Sequence, residues 1–216
     1  MTVDNTVHQG QPILTAGAPL DQAKAVMVMV HGRGASARDI LSLSAEFARD
    51  DVAYIAPQAY GNTWYPQSFL MPLGDNEPYL TSALQAVGDV VQQVETAGIP
   101  AEKIIILGFS QGACLSTEFA ARNAKRYGGV VALSGGLIGA EDTPRDYAGS
   151  LEDTPVFLGC SDVDFHIPLQ RVHDSKTWLE ALGGDVTERI YPQMGHTINE
   201  DELEFVRDLV KQVAEK

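Results

Sequence analysis

Short runs of apolar residues alternate with longer amphipathic stretches along the chain. The apolar runs predict strands at residues 25–30, 52–57, 103–109, 129–134, 155–160 and 186–191. Most of them are apolar throughout, as expected for strands that helices cover on both faces. Helical patterns fill the intervals at residues 37–49, 77–97, 111–126, 168–183 and 199–214. This alternation predicts an α/β fold, with a single, mostly parallel sheet and helices on both faces.

The length and composition of the chain favour one domain. Its 216 residues are 44% hydrophobic and contain no repeat or long polar run, so we expect a single domain over residues 1–216. The connection from the strand at 129–134 to the strand at 155–160 is about twenty residues long. A connection of that length has no room for a large lid domain.

The charge of the chain limits its partners. With 29 acidic and 15 basic residues, the formal net charge is −14, which repels phosphate backbones and anionic membrane surfaces. We therefore expect no nucleic acid partner. No apolar run is long enough to span a membrane, and residues 1–17 lack the pattern of a signal peptide. These features predict a cytoplasmic protein without stable membrane insertion, and they leave the oligomeric state open, a homodimer included.

Cysteine usage suggests neither a disulfide framework nor a metal centre. Cys114 and Cys160 are the two cysteines of the chain, and neither belongs to a cluster with metal-ligand spacing. We expect both to be reduced, buried and packed like small apolar residues. The sequence accordingly predicts no metal and no other cofactor.

A serine stands between two glycines where the strand at 103–109 gives way to a helical pattern. Gly108-Phe109-Ser110-Gln111-Gly112 fits G-x-S-x-G, the pattern of a nucleophile held on a sharp strand-to-helix turn. The glycines leave space for that turn, and the helix start favours developing negative charge. Serines at helix starts are more often simple N-caps. The strand before it and the helix after it favour Ser110 as a nucleophile instead.

A serine nucleophile needs a base to take its proton and an acid to orient that base. Three histidines follow Ser110 along the chain: His166, His173 and His196. His173 lies inside a helical pattern, and His166 is only two residues from the nearest candidate acid. His196 follows the strand at 186–191 and has a glycine beside it, so we predict that it is the base.

Two aspartates compete for the role of the acid. Asp162 and Asp164 both follow the strand at 155–160, at the edge of the sheet where ligands bind in parallel α/β folds. A loop aspartate commonly accepts backbone N–H bonds in a turn, and we expect one of the two to do so. Spacing alone does not separate them.

Together, these segments resemble the phospholipase/carboxylesterase family of α/β-hydrolases, which includes acyl-protein thioesterases and small bacterial carboxylesterases. The resemblance spans residues 26 to about 210, and four segments carry it: HGRG after the strand at 25–30, GFSQGA, the aspartate ahead of FHIP, and the terminal MGH. The family's acid stands four residues before a proline, which implies Asp164 as the acid and Asp162 as a supporting residue. A His-Gly pair commonly precedes this acidic loop. Here Cys160-Ser161 replaces it, which leaves the subfamily open.

The resemblance also implies an oxyanion hole and an acyl pocket. In this fold the backbone N–H of Gln111 is one donor, and the family comparison makes the N–H of Arg33 the second, each worth about 3 kcal/mol. A Pro-, Gly- and aromatic-rich loop at residues 57–80, the wall segment, is long enough to line a pocket. Its candidate substrate-binding residues are Trp64, Tyr65, Phe69 and Met71. The sequence leaves open whether each of these faces the substrate or the loop's own core.

We therefore expect a serine hydrolase that cleaves carboxylic esters, or thioesters, of short to medium acyl chain through an acyl-enzyme. The partner is a small-molecule ester. One alternative is a non-catalytic relative that binds a ligand. Another is a dinucleotide-binding protein, because residues 32–37 fit G-x-G-x-x-A. That motif also requires an acid at the end of the next strand, whereas Asp50 and Asp51 stand at its start.

Overall fold

A central sheet of seven strands organises the protein, which we describe from a computed structural model for residues 6–47 and 49–216. The strands are β1 (Ile13–Gly17), β2 (Ala25–Val30), β3 (Val52–Pro57), β4 (Ile104–Phe109), β5 (Gly129–Leu133), β6 (Pro155–Ser161) and β7 (Asp185–Tyr191). Their order is β1-β3-β2-β4-β5-β6-β7. Strand β1 is antiparallel to β3, and all other neighbours are parallel.

Helices cover both faces of the sheet. They are α1 (Ala37–Leu41), α2 (Ser44–Phe47), α3 (Tyr79–Thr96), α4 (Gln111–Arg122), α5 (Leu169–Ala181) and α6 (Glu200–Glu215). In β4, Ile104 and Ile106 belong to the core cluster that includes residues of α3, α4 and α5, whereas Ile105 and Leu107 belong to the one that includes residues of α1, α2 and α6. Because successive side chains of a strand point to opposite faces, a strand buried on both must be apolar throughout. The predicted fold class is therefore confirmed.

The structure departs from the sequence prediction at two places. Strand β1 was not predicted, because its side chains alternate between exposed and half-buried at the edge of the sheet and form no apolar run. The helical pattern at 37–49 divides into α1 and α2. At the break, the Ser42 hydroxyl donates to the carbonyl of Asp39 at 2.6 Å, a local bond that competes with the helical ladder.

The connection between β5 and β6 is short, as predicted. In the described chain, residues 134–154 contain no helix and no strand of the sheet, so this connection carries no lid domain. Within residues 6–47 and 49–216, no helix has the length and apolar character needed to cross a bilayer. The carboxyl ends of β4, β6 and β7 lead directly into the loops that build the site.

Candidate active site

Ser110 sits on a strained turn between β4 and α4. Its backbone has φ +55° and ψ −119°, a conformation that costs a non-glycine residue about 1 to 3 kcal/mol. A Cβ on Gly108 would lie 2.2 Å from the carbonyl oxygen of Gly112, and one on Gly112 would lie 2.1 Å from that of Val30. The Ser110 N–H donates to the carbonyl of Leu133 at 2.9 Å. The two glycines are thus required by close backbone contacts, and the turn lifts the serine above the sheet.

The structure brings Ser110, His196 and Asp164 into one hydrogen-bonded chain. Ser110 Oγ lies 2.9 Å from His196 Nε2, and His196 Nδ1 lies 2.6 Å from Asp164 Oδ2. The Asp164 side chain is fully buried, and its Oδ1 accepts the backbone N–H groups of His166 and Ile167 at 2.8 and 3.1 Å. With Nδ1–H directed at the carboxylate, the Nε2 lone pair faces the serine hydroxyl. This arrangement can remove the serine proton.

Asp162, the other candidate acid, does not contact the histidine side chain. Its Oδ1 accepts the backbone N–H of Gln193 at 2.8 Å, and the Ser161 hydroxyl accepts the N–H of Gly195 at 3.1 Å. These bonds tie the end of β6 and the loop after it to the base loop (residues 192–199), which carries His196. Asp162 therefore supports the position of the loop that carries His196.

A buried glutamate that the sequence analysis missed anchors the other end of the base loop. Glu202 Oε2 accepts the N–H of Asn199 at 2.9 Å, and the Asn199 side chain accepts the N–H of Glu202 at 3.0 Å, which closes a capping box at the start of α6. Glu202 Oε1 is buried without a hydrogen-bond partner among the described residues. Burial raises the pKa of this carboxyl to about 7. The spacing of Asn199 and Glu202 in a capping box is visible in the sequence, but the burial of the Glu202 side chain is not.

The side chain of Gln111 joins the serine turn to the wall segment. Its Oε1 accepts the N–H of Trp64 at 2.9 Å, and its Nε2 donates to the carbonyl of Tyr65 at 2.8 Å. The backbone N–H groups in the first turn of a helix have no intrahelical acceptor, so the N–H of Gln111 at the start of α4 meets this condition for an oxyanion donor.

Arg33 contacts the same segment from the loop after β2. Its Nη2 donates to the carbonyls of Tyr65 and Gln67 at 2.9 and 2.7 Å, and its Nη1 donates to that of Pro66 at 3.0 Å. Both residues predicted as oxyanion donors line the same cavity as Ser110. The side chains of Arg33 and Gln111 therefore both hold the wall segment beside this cavity.

The cavity above Ser110 has a volume of about 500 Å³, and the predicted wall residues divide into two groups. Tyr65 and Phe69 line it. Trp64 and Met71 do not, because Trp64 is fully buried behind the wall and Met71 is 41% exposed outside the lining. The indole N–H of Trp64 donates to the carbonyl of His31 at 2.8 Å, so this side chain belongs to the core of the segment.

Two buried histidines hold the wall segment from behind. The N–H of Ala59 donates to His31 Nε2 at 3.1 Å, and the N–H of Tyr60 donates to His8 Nδ1 at 3.0 Å. The opposite ring nitrogens face carbonyls at 2.8 Å: His31 Nδ1 that of Gly32, and His8 Nε2 that of Trp64. Each ring is thus neutral, with one nitrogen accepting and the other donating. Burial lowers the pKa of both histidines below 6.5.

Both cysteines lie close to the site. Cys114 lines the cavity, one turn of α4 beyond Ser110, and Cys160 Sγ lies 3.9 Å from Asp164 Oδ2. Neither forms a disulfide in the structure, and both are buried. Burial raises the pKa of each to about 12.

The fold and the site together define an α/β-hydrolase: a serine on a strand-to-helix turn, with a histidine and an acid on loops after later parallel strands. The chain belongs to the phospholipase/carboxylesterase family, whose model matches residues 13–214. The family predicted from the sequence motifs is therefore confirmed. Gly32, Arg33 and Ala35, which belong to the segment that the dinucleotide alternative assigned to a cofactor, line the cavity above Ser110.

Individual proteins that are similar to this chain have names consistent with this family. A phospholipase/carboxylesterase from Dyadobacter fermentans is 46% identical, with a TM-score of 0.90 over 94% of this chain and 97% of that one. Acyl-protein thioesterase 1 of Debaryomyces hansenii is 27% identical over 93% of this chain and 97% of its own length. The corresponding protein of Kluyveromyces lactis is 34% identical over 61% of this chain and 58% of its own length. The protein is accordingly a carboxylic ester hydrolase.

Proposed function

We propose that the protein hydrolyses carboxylic esters, including thioesters, of short to medium acyl chain through an acyl-enzyme formed on Ser110. The observation that carries this proposal is the hydrogen-bonded chain from Ser110 through His196 to Asp164, with distances of 2.9 and 2.6 Å, at the base of an open cavity. The substrate is a small-molecule ester encountered in the cytoplasm.

In the first half-reaction, Ser110 Oγ attacks the carbonyl carbon while His196 Nε2 takes its proton. Asp164 stabilises the resulting imidazolium. The carbonyl oxygen becomes an oxyanion, which the backbone N–H groups of Arg33 and Gln111 stabilise. His196 then gives its proton to the departing alcohol or thiol, and the acyl group stays on the serine.

In the second half-reaction, water replaces the leaving group. His196 takes a proton from the water, whose oxygen attacks the acyl carbon. The tetrahedral intermediate then collapses and releases the carboxylic acid, while His196 gives its proton back to Ser110 Oγ. The sum is one ester and one water converted into one acid and one alcohol or thiol.

The open cavity supports a preference for short to medium acyl chains. Each buried methylene contributes about 0.8 kcal/mol, and a cavity open to solvent buries only a few of them. Without a lid domain to open, activity should show no jump when the substrate passes from monomers to micelles. The names of the thioesterase relatives support including thioesters among the substrates.

Labelling with a fluorophosphonate probe tests the nucleophile. We expect the wild type to be labelled and Ser110→Ala to stay folded and unlabelled, with kcat lower by several orders of magnitude. A folded wild type that is neither labelled nor active on a series of p-nitrophenyl esters from acetate to palmitate would favour the non-catalytic binder. A maximum at palmitate would contradict the proposed chain length.

Substituting the aspartates tests the acid. Asp164→Asn should lower kcat by about 10⁴-fold, because it removes the group that orients the histidine. Asp162→Asn is the matched control and should be much milder, since Asp162 contacts the base loop only through the backbone N–H of Gln193. A larger loss in Asp162→Asn would reverse the assignment.

A further inference from the structure

The cavity differs in charge from the rest of the protein. The chain carries 29 acidic residues and a net charge of −14, yet among the described residues no aspartate or glutamate lines the cavity. Its one permanently charged lining residue within that part of the chain is Arg33, and its other basic lining residues are His166 and His196. Asp164 lies beneath the site with no exposed side-chain surface. A ligand in the cavity therefore faces positive charge and no unshielded carboxylate.

The Arg33 guanidinium is exposed but held in one position. Exposed arginines ordinarily sample many rotamers, and ordering one costs up to about 2 kcal/mol. Here three backbone carbonyls of residues 65–67 fix the group at 2.7 to 3.0 Å. The guanidinium is therefore already ordered in the folded protein, and a ligand that binds Arg33 would not lose affinity to the entropic cost of ordering it.

The carbonyls that hold Arg33 leave both its charge and part of its hydrogen-bonding capacity in place. A carbonyl is neutral, so the guanidinium keeps its full positive charge. The three contacts use Nη2 and one N–H of Nη1, which leaves the second Nη1–H and Nε–H outside them. These two N–H groups lie on different sides of the guanidinium and do not form a bidentate pair, but each can donate one charge-assisted hydrogen bond to an oxygen of a carboxylate or phosphate.

We propose that the preferred substrate is an ester that carries a second, negatively charged group, which the Arg33 side chain binds at the cavity wall. This inference rests on the proposed function and adds the chemical class of its substrate. The Arg33 backbone N–H stabilises the oxyanion, while its side chain selects the substrate. The −14 charge of the whole chain repels anions at long range, so binding depends on this local contact.

Matched ester pairs measure the preference and locate the charge. Monoethyl adipate and ethyl hexanoate have six-carbon acyl groups and differ in a terminal carboxylate on the acyl side. Carboxymethyl butyrate and ethyl butyrate place that difference on the alcohol side. We expect kcat/KM, followed in a pH-stat, to be about tenfold higher for the anionic member of at least one pair, mainly through KM. A ratio near one or below in both pairs would overturn the proposal.

Substitutions then test whether Arg33 is responsible. Arg33→Met should reduce the ratio of anionic to neutral kcat/KM to near one, whereas Arg33→Lys keeps the charge and should retain most of the preference. Using the ratio within each variant corrects for any loss of the wall contacts, which affects both substrates. Arg38→Met, on the exposed side of α1 and outside the cavity, removes the same charge and should leave the ratio unchanged. An unchanged ratio in Arg33→Met would overturn the assignment.

Inhibition of the wild type provides a readout that requires no variant to fold. Glutarate should inhibit hydrolysis of ethyl butyrate competitively, with a Ki about tenfold lower than that of glutaramide, its uncharged analogue. Equal Ki values would argue against an anion site. This result can be told apart from a failure of the proposed function. If the wild type hydrolyses neutral esters and Ser110→Ala does not, the proposed function stands even when no preference for anionic substrates is found.

Discussion

The serine turn and the wall segment line the same cavity, but different interactions fix them. The turn is fixed by steric contact between backbone atoms of neighbouring elements, as Gly112 shows against Val30. The wall segment is fixed by side chains that reach its backbone from distant parts of the chain, including His8, Arg33 and Gln111.

This difference determines which substitutions each region tolerates. A single added methyl group should be enough to move the serine turn, because the atoms it would meet are backbone. The wall segment instead distributes its support over several hydrogen bonds, each worth about 0.5 to 1.5 kcal/mol. It should therefore tolerate added volume where space exists and lose stability in steps when its partners are removed.

The largest effect should come from Gly112→Ala. The new Cβ would lie 2.1 Å from the Val30 carbonyl oxygen, so the turn must shift or the protein must unfold. We expect a loss of about 3 kcal/mol or more of stability and at least about 100-fold in kcat/KM. Denaturant unfolding and ester kinetics measure both. Gly74→Ala, in the wall segment, has no atom within 4 Å of the new Cβ and should change stability by less than about 0.5 kcal/mol. Equal effects would remove the distinction between the regions.

Trp64→Ala removes the buried side chain that supports the wall segment. It empties a fully buried site and removes the bond to the His31 carbonyl, and should cost about 3 to 5 kcal/mol of stability. Trp178→Ala on α5, where the side chain is 46% exposed, is the control and should cost much less. Because Trp64 does not line the cavity, kcat/KM should fall by a similar factor for every acyl length. A loss confined to one acyl length would show direct contact with substrate.

Glu202→Gln tests the base loop, which depends on one buried side chain. The folded-state pKa of about 7 lies above the ordinary 4.5, so wild-type stability should fall as pH rises from 4.5 to 7 and then level off. Glutamine still accepts the Asn199 N–H but does not ionise. We expect it to stabilise the protein by about 1 to 3 kcal/mol at pH 8 and to have little effect at pH 4. Urea unfolding at pH 4 and pH 8 measures the stability difference between Glu202→Gln and the wild type. The same difference at both pH values would contradict ionisation of Glu202 as its cause.

The smallest effect should be the pH response of the wall segment. His8 and His31 have pKa values below 6.5 in the folded protein, so only the unfolded chain takes up their protons near that pH. Their contribution to stability is complete above pH 6.5 and is lost as pH falls below it, by at most about 1.4 kcal/mol per pH unit for each ring. His8→Gln should show a shallower decline in unfolding free energy between pH 7 and pH 5. If the unfolding free energy of His8→Gln and that of the wild type fell equally steeply with pH, His8 would be excluded as a source of the pH dependence.

The same contrast explains what could be predicted from the sequence. The turn that carries Ser110 could be predicted because the glycines that shape it are neighbours of Ser110 along the chain. The wall segment was recognisable by composition, but Trp64 could not be assigned to its core, since that depends on contacts such as the bond between Trp64 and Gln111, 47 residues apart. Asp162 and Asp164 are alike in sequence. Only the structure shows that Asp164 Oδ2 contacts His196 and that Asp162 binds backbone.

The burial of Cys114 has a consequence for how the protein is handled and inhibited. Cys114 belongs to the lining of the cavity above Ser110, yet only 1% of the residue is exposed. Burial raises the pKa of this thiol to about 12, so the reactive thiolate is a minor species at pH 7. The enzyme should accordingly keep its activity in iodoacetamide and in buffers without reductant, and covalent inhibitors should be designed against the serine rather than the sulfur.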